Sequence, residues 1–169
     1  MIGGAWKRKK IFFHDAEGLR PTLGRIRETL FNWLGQDLSN KKCLDLFSGS
    51  GSLGFEALSR NASSCTFIER NYEVYLNLID NKRKLNVEHA FIKNMNAELF
   101  IKNNSESFDI IFCDPPFKMN ETLLLINRLR QLLNPEGIIY FESDQEIPEQ
   151  MFEIHKTSRV GKVYFYLIR

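Results

Sequence analysis

From Lys41 onward the chain alternates short continuous apolar runs with longer stretches whose apolar residues recur at helical spacing, which predicts strands alternating with helices. The runs place strands at 42–47, 65–69, 89–93, 108–113 and 138–142. Between them fall helices at 55–60 and 72–85, a short one from Asn96, and one at 120–133, where Leu123, Leu124, Ile126, Leu129, Leu132 and Leu133 keep helical spacing. Asn134-Pro135-Glu136-Gly137 reads as the turn into the next strand. Such alternation implies an α/β fold, a doubly wound parallel sheet with helices on both faces. The rhythm breaks at the end: strand-like runs at 152–157 and 162–168 are separated by residues 158–161 alone, too few for a crossover helix, so they form an antiparallel hairpin. Ahead of the core, 11–13 reads as a strand and 22–34 as an amphipathic helix, with Thr22 as its N-cap and Ile26, Leu30, Phe31 and Leu34 on one face.

Charge divides the chain. Residues 1–28 carry seven basic groups (Lys7, Arg8, Lys9, Lys10, Arg20, Arg25, Arg27) against Asp15, Glu17 and Glu28, a net +4; with +2 overall, the rest carries −2. A basic end on a mildly acidic body suggests that the first segment meets a polyanion while the body does something else. We therefore divide the chain into a basic extension, residues 1–40, and a main domain, residues 41–169. With 169 residues and 43% hydrophobic content, the chain suits one globular core with a short appendage. Cys43, Cys65 and Cys113 form no CxxC pair, no apolar run reaches bilayer length, and no export signal is read, so a reducing cytoplasm is expected.

Gly49-Ser50-Gly51-Ser52-Leu53-Gly54 matches GxGxxG where a strand ends and a helix begins, a place for close backbone approach to a ligand. Alone it is a weak signal. Glu69, twenty residues after Gly49, ends the next strand, where a carboxylate accepts hydrogen bonds from ribose hydroxyls; this serves NAD and S-adenosylmethionine alike. Two features separate the cofactors. Asp45 stands just before the glycines, where a carboxylate suits the cationic amino-acid end of S-adenosylmethionine and opposes a pyrophosphate. Asp114-Pro115-Pro116-Phe117 follows the fourth core strand, at the carboxyl edge where such sheets bind ligands. Its prolines remove backbone donors, so the Asp114 carboxylate and the Pro115 carbonyl stand as acceptors for an exocyclic amine, and Phe117 can stack on the base. The loop does not choose among guanine, adenine and cytosine.

The blocks Ile2-Gly3-Gly4-Ala5-Trp6, Arg20-Pro21-Thr22, 25–34, 44–51, Phe67-Ile68-Glu69-Arg70 and Asp114-Pro115-Pro116-Phe117 resemble, in order and over nearly the whole chain, the RsmD family. The resemblance implies a seven-stranded, Rossmann-like class I methyltransferase sheet ending in the hairpin, and transfer of a methyl group from S-adenosylmethionine to N2 of a guanine in 16S ribosomal RNA. It further implies that Asp45, Phe47, Gly49, Ser50, Gly51, Glu69, Arg70, Asn96 and Ala97 line the cofactor site and that 114–117 is the catalytic loop. Arg8, Lys9, Lys10, Arg20 and Arg25 are then the expected RNA contacts, within a small-subunit particle, while the extension also covers the cofactor site. Two positions depart from the family pattern: Gly24 replaces an Asp near the helix start, and Asn96 replaces an acid expected to meet the adenine amine, which its amide oxygen can still accept.

His14, His89 and His155 are scattered, so no metal site is expected, and Ser50 lacks the GxSxG elbow of a serine nucleophile. Trp33 lies beside the apolar helical face and reads as core. A non-catalytic RNA-binding assembly factor and a nicotinamide-dependent oxidoreductase are the readings from other classes; the glycine loop with Glu69 and Asp114 argues against the first, the terminal hairpin against the second.

Overall fold

The structure, a computed structural model, describes residues 1–9, 11, 24–116 and 119–169. A seven-stranded sheet runs β3-β2-β1-β4-β5-β7-β6, parallel through β5 with β7 alone reversed. The strands are β1 (Lys42–Asp45), β2 (Ser64–Glu69), β3 (Ala90–Asn94), β4 (Phe108–Cys113), β5 (Leu133–Ser143), β6 (Ile154–Val160) and β7 (Val163–Ile168). On one face α1 (Gly24–Leu34), α2 (Ser52–Ser59) and α3 (Tyr72–Leu85) bury Ile26, Leu30, Phe31, Phe55 and Leu78 against Phe67, Phe112, Tyr140 and Phe165. On the other, α4 (Ala97–Asn103) and α5 (Met119–Arg130) bury Phe100, Leu125, Ile126 and Leu129 against Leu44, Ile111 and Phe141. Central strands buried on both sides explain why their sequences read as continuous apolar runs.

Several boundaries differ from the sequence reading, each for a local reason. The helix after the glycines begins at Ser52 rather than at Phe55, because the Asp45 carboxylate accepts a hydrogen bond from the Gly54 N–H (2.9 Å) and caps the helix from another element. α5 ends at Arg130, leaving Leu132 and Leu133 to lead into the sheet. Asn134 to Gly137 is an irregularity inside β5 rather than the connection before it: Phe108 pairs with Leu133 and Ile110 with Ile138, and Glu136 takes a positive φ of 63°. The hairpin turn is tighter than expected. Val160 pairs with Val163, so only Gly161 and Lys162 span it, with Gly161 at φ 61° as a two-residue turn requires. Thr22 and most of the expected strand 11–13 lie outside the described residues.

Residues 1–9 fold back on the end of α2. The Glu56 carboxylate accepts hydrogen bonds from the N–H groups of Ile2 (2.8 Å) and Gly3 (2.7 Å), and the Ser59 hydroxyl accepts one from Trp6 N–H (2.9 Å). Trp33, expected in the core, is half-buried and stacks on Phe165 at 5.2 Å.

Candidate active site

The carboxyl ends of β1, β2, β4 and β5 bring Asp45, Glu69, Asp114 and Glu142 to one edge of the sheet. The glycine loop crosses this edge. Ser48 N–H bonds to the Ile68 carbonyl (3.0 Å), and Gly51 N–H to the Ser48 carbonyl (2.7 Å). Gly51 has φ 75°, and a Cβ there would stand 2.6 Å from Leu78 Cδ2, so both the turn and the packing of α3 exclude a side chain. At Gly54 a Cβ would meet Phe67 Cε1 at 2.4 Å, which makes this glycine the contact of α2 on the sheet.

Glu69 is fixed from two sides. Its Oε2 accepts from Gly49 N–H (3.0 Å) and its Oε1 from Asn71 N–H (2.8 Å), holding the carboxylate against the loop with lone pairs remaining on both oxygens. Asn94 Nδ2 donates to the carbonyls of Glu69 and Arg70, so the end of β2 is tied to that of β3, while the Arg70 side chain is exposed. Phe47 is half-buried and Ser50 is buried in the loop. Asn96 caps α4: its Oδ1 accepts from Leu99 N–H (2.7 Å), which leaves that oxygen one further lone pair, and Ala97 behind it is buried.

Asp45 is 3% exposed, and its charge is opposed by burial and then by Asp114 and Glu69, which together raise its carboxyl to about 8. Its carboxyl accepts from the Gly54 N–H of α2, so Asp45 shapes the glycine loop and the start of that helix. Asp114 is exposed to solvent at the end of β4, yet the protein around it desolvates the carboxyl and raises it to about 6. Pro115 is half-buried and Pro116 exposed beside it, and Phe117 lies outside the described residues. Of the expected RNA contacts, Arg8, Lys9 and Arg25 are exposed, whereas Lys10 and Arg20 fall outside the described residues.

Sequence reasoning missed Glu142, 7% exposed, whose Oε1 accepts a 2.6 Å hydrogen bond from the Tyr140 hydroxyl. A signal existed, since Glu142 is an acid closing a buried strand at the same level as Asp45, Glu69 and Asp114. Among the described residues no group of three His, Cys, Asp or Glu side chains can hold a metal ion.

Comparison with known proteins agrees with this geometry. The chain is 39% identical to the ribosomal RNA small subunit methyltransferase D of Escherichia coli strain K12, covering 99% of this chain and 87% of the relative. It is 42% identical to the protein of that name from Haemophilus influenzae, covering 88% and 80%. The solved structure of Escherichia coli yhhF, provisionally designated a methyltransferase, superposes with a TM-score of 0.87 at 40% identity over 99% of this chain and 95% of that one. The profile of the Conserved hypothetical protein 95 family matches residues 1–169, and the chain belongs to that family, the family of the ribosomal RNA small subunit methyltransferases D.

Proposed function

We propose that this protein transfers a methyl group from S-adenosylmethionine to the exocyclic N2 of a guanine in 16S ribosomal RNA, within a small-subunit particle in the cytoplasm. The observation that carries the reading is Asp114, opening an Asp-Pro-Pro turn at the carboxyl end of β4, in the same row of strand ends as Glu69 and the glycine loop. Among the described residues, no helix is long and apolar enough to cross a membrane.

The residues fit the methyl donor. The charges acting on Asp45 are those of Asp114 and Glu69, so this edge carries a negative field, which suits a sulfonium and an ammonium and opposes a pyrophosphate. Glu69, oriented by Gly49 and Asn71, would hold the ribose hydroxyls. The donor supplies a methyl group on a good leaving group, so no strong base is needed. The chain's part is orientation. An exocyclic amine shares its lone pair with the ring; with its N–H groups donating to Asp114 and the Pro115 carbonyl, the nitrogen is aimed and can rehybridise as the bond forms. Asp114 then faces the nitrogen as it becomes cationic and can take the proton it releases.

Calorimetry on the isolated protein is expected to show S-adenosylmethionine binding, weakened by about 1.5–3 kcal/mol in Glu69→Ala through loss of charge-assisted hydrogen bonds. Tighter binding of NAD overturns the cofactor. Methyl transfer from labelled S-adenosylmethionine to small-subunit particles lacking the modification, followed by nucleoside mass spectrometry, tests the substrate. N2-methylguanosine is the expected product; N6-methyladenosine would keep the mechanism and replace the base.

The extension is the proposed RNA contact and cofactor-site cover. Phe31 of α1 packs on Phe112, two residues before Asp114, and Trp6, two residues before Arg8, is held on Ser59 at the far end of α2, about 12 Å along an eight-residue helix from the glycine loop. Phosphates held there belong to nucleotides well away from the target base. Replacing Arg8, Lys9 and Lys10 with alanine is expected to lower RNA affinity and flatten its salt dependence, with cofactor affinity unchanged. An unaltered salt slope in filter-binding titrations assigns these side chains to solvent instead.

A further inference from the structure

Asp114 does not stand alone at the end of β4. One step beyond the pair Cys113–Phe141, it comes level with Glu142 on the neighbouring strand, where parallel strands lie about 4.8 Å apart. Phe112 pairs with Tyr140, so the row on that face of the sheet runs from two packed aromatic rings to two carboxyls. Among the described residues, the titratable groups that act on or feel Glu142 are Asp114 and Cys113 from β4 and Tyr140 from its own strand, while β7 sets apolar Phe165 opposite. None is a cation. Two neighbouring carboxyls without a counter-ion do not both ionise near neutrality, and such a pair holds one proton between its members. Solvation decides which member keeps it: Asp114 is accessible to water and Glu142 is buried, and burial together with the charge of Asp114 raises the Glu142 carboxyl by more than the hydrogen bond from Tyr140, which favours the ionised form, lowers it.

We propose that Glu142 is a positioning residue for the reaction: as an un-ionised acid anchored on Tyr140, it backs Asp114 and keeps the negative charge of the pair on the carboxyl that meets the amine. The Tyr140 hydroxyl, itself buried, has Glu142 as its acceptor at 2.6 Å and fixes where that acid stands. Removing Glu142 leaves a buried hydroxyl unpaired and opens space behind Asp114, which then turns away from the line of attack. A neutral side chain of the same length and shape does the same work as the protonated acid.

This inference rests on the amine-methyltransferase reading of Asp114, and the test separates the two. In the full chain with carboxyl-¹³C-labelled glutamate, the Glu142 resonance, assigned with Glu142→Gln, is expected to titrate above neutrality. In Asp114→Asn its midpoint falls by about one pH unit or more, because the opposing charge is gone. This arm needs no RNA, so it stands even if the guanine reading fails. In single-turnover methyl transfer, Glu142→Ala is expected to lower the rate about 10- to 100-fold, with S-adenosylmethionine affinity near that of the parent, and Glu142→Gln to restore most of the loss. A Glu142 midpoint in the ordinary range near 4.3, or one unmoved by Asp114→Asn, overturns the proposal. So does a Glu142→Gln variant as slow as Glu142→Ala, since a charge rather than a proton would then be required there.

Discussion

Asp114→Ala is expected to lower methyl transfer about 10²- to 10³-fold while S-adenosylmethionine still binds, the size of effect seen when one preorganised transition-state partner is removed. The two properties separate because different strands carry them. Glu69 and the glycine loop, held together by the Gly49 N–H on Glu69, belong to β1, β2 and α2, whereas Asp114 projects from the end of β4. Only the ionised carboxylate gives the amine a charge-assisted hydrogen bond and can take its proton, and desolvation holds the Asp114 carboxyl up to about 6. The rate therefore rises with pH through about 6, and activity is lost as pH falls below it. Asp114→Asn cannot ionise. Its amide oxygen can still face the amine, so partial activity without that acid limb is the expected outcome. Full activity in Asp114→Ala across the pH range, measured by single-turnover transfer to small-subunit particles, would remove Asp114 from the mechanism.

How much of this was legible in the sequence depends on the range of the interactions involved. The order of strands and helices was readable because buried parallel strands announce themselves as apolar runs, and α3 kept both its expected ends through local signals: Asn71 caps the first turn, and Asn86 closes the last in the left-handed conformation. The start of α2 was not readable, since the Asp45 carboxylate that caps it lies nine residues upstream on another element. The hairpin turn was overestimated because polar Ser158 and Arg159 look like loop residues, yet β6 is an edge strand that tolerates them. At the site, Glu69 and Asp114 were legible from their positions at strand ends. Glu142 ends a strand too, but nothing local reveals that it lies beside Asp114, some 28 residues away. Asp45 was read as a ligand contact, and its capping bond and full burial emerge only from the fold.

The same limit hid the group whose loss is expected to cost most in stability. Glu56 is fully buried, 3.0 Å from the Nε of Arg60, which is 3% exposed. The Arg60 guanidinium also donates to Gln36 Oε1 (2.7 Å) and lies 4.8 Å over the Phe31 ring, so one buried ion pair joins α2 to α1 and to the link into β1. The Glu56 oxygens facing Ile2 and Gly3 tie down the first residues as well. Glu56→Ala leaves a guanidinium buried without its partner, and removal of one member of such a pair costs about 3–5 kcal/mol. Urea unfolding should register this as a fall in the midpoint, and an unmoved midpoint would show that water reaches Arg60. The double variant Glu56→Leu, Arg60→Met removes both charges and is expected to regain most of the stability, because a well-packed apolar pair avoids the desolvation that the ions incur. It cannot regain the acceptors for Ile2 and Gly3, so the amino-terminal residues should be cut early in limited proteolysis while the core resists. That variant therefore separates the extension from the fold. If the extension holds RNA, the double variant loses RNA affinity at nearly parental stability and nearly parental S-adenosylmethionine affinity; unchanged RNA binding would place the polyanion contact elsewhere on the body.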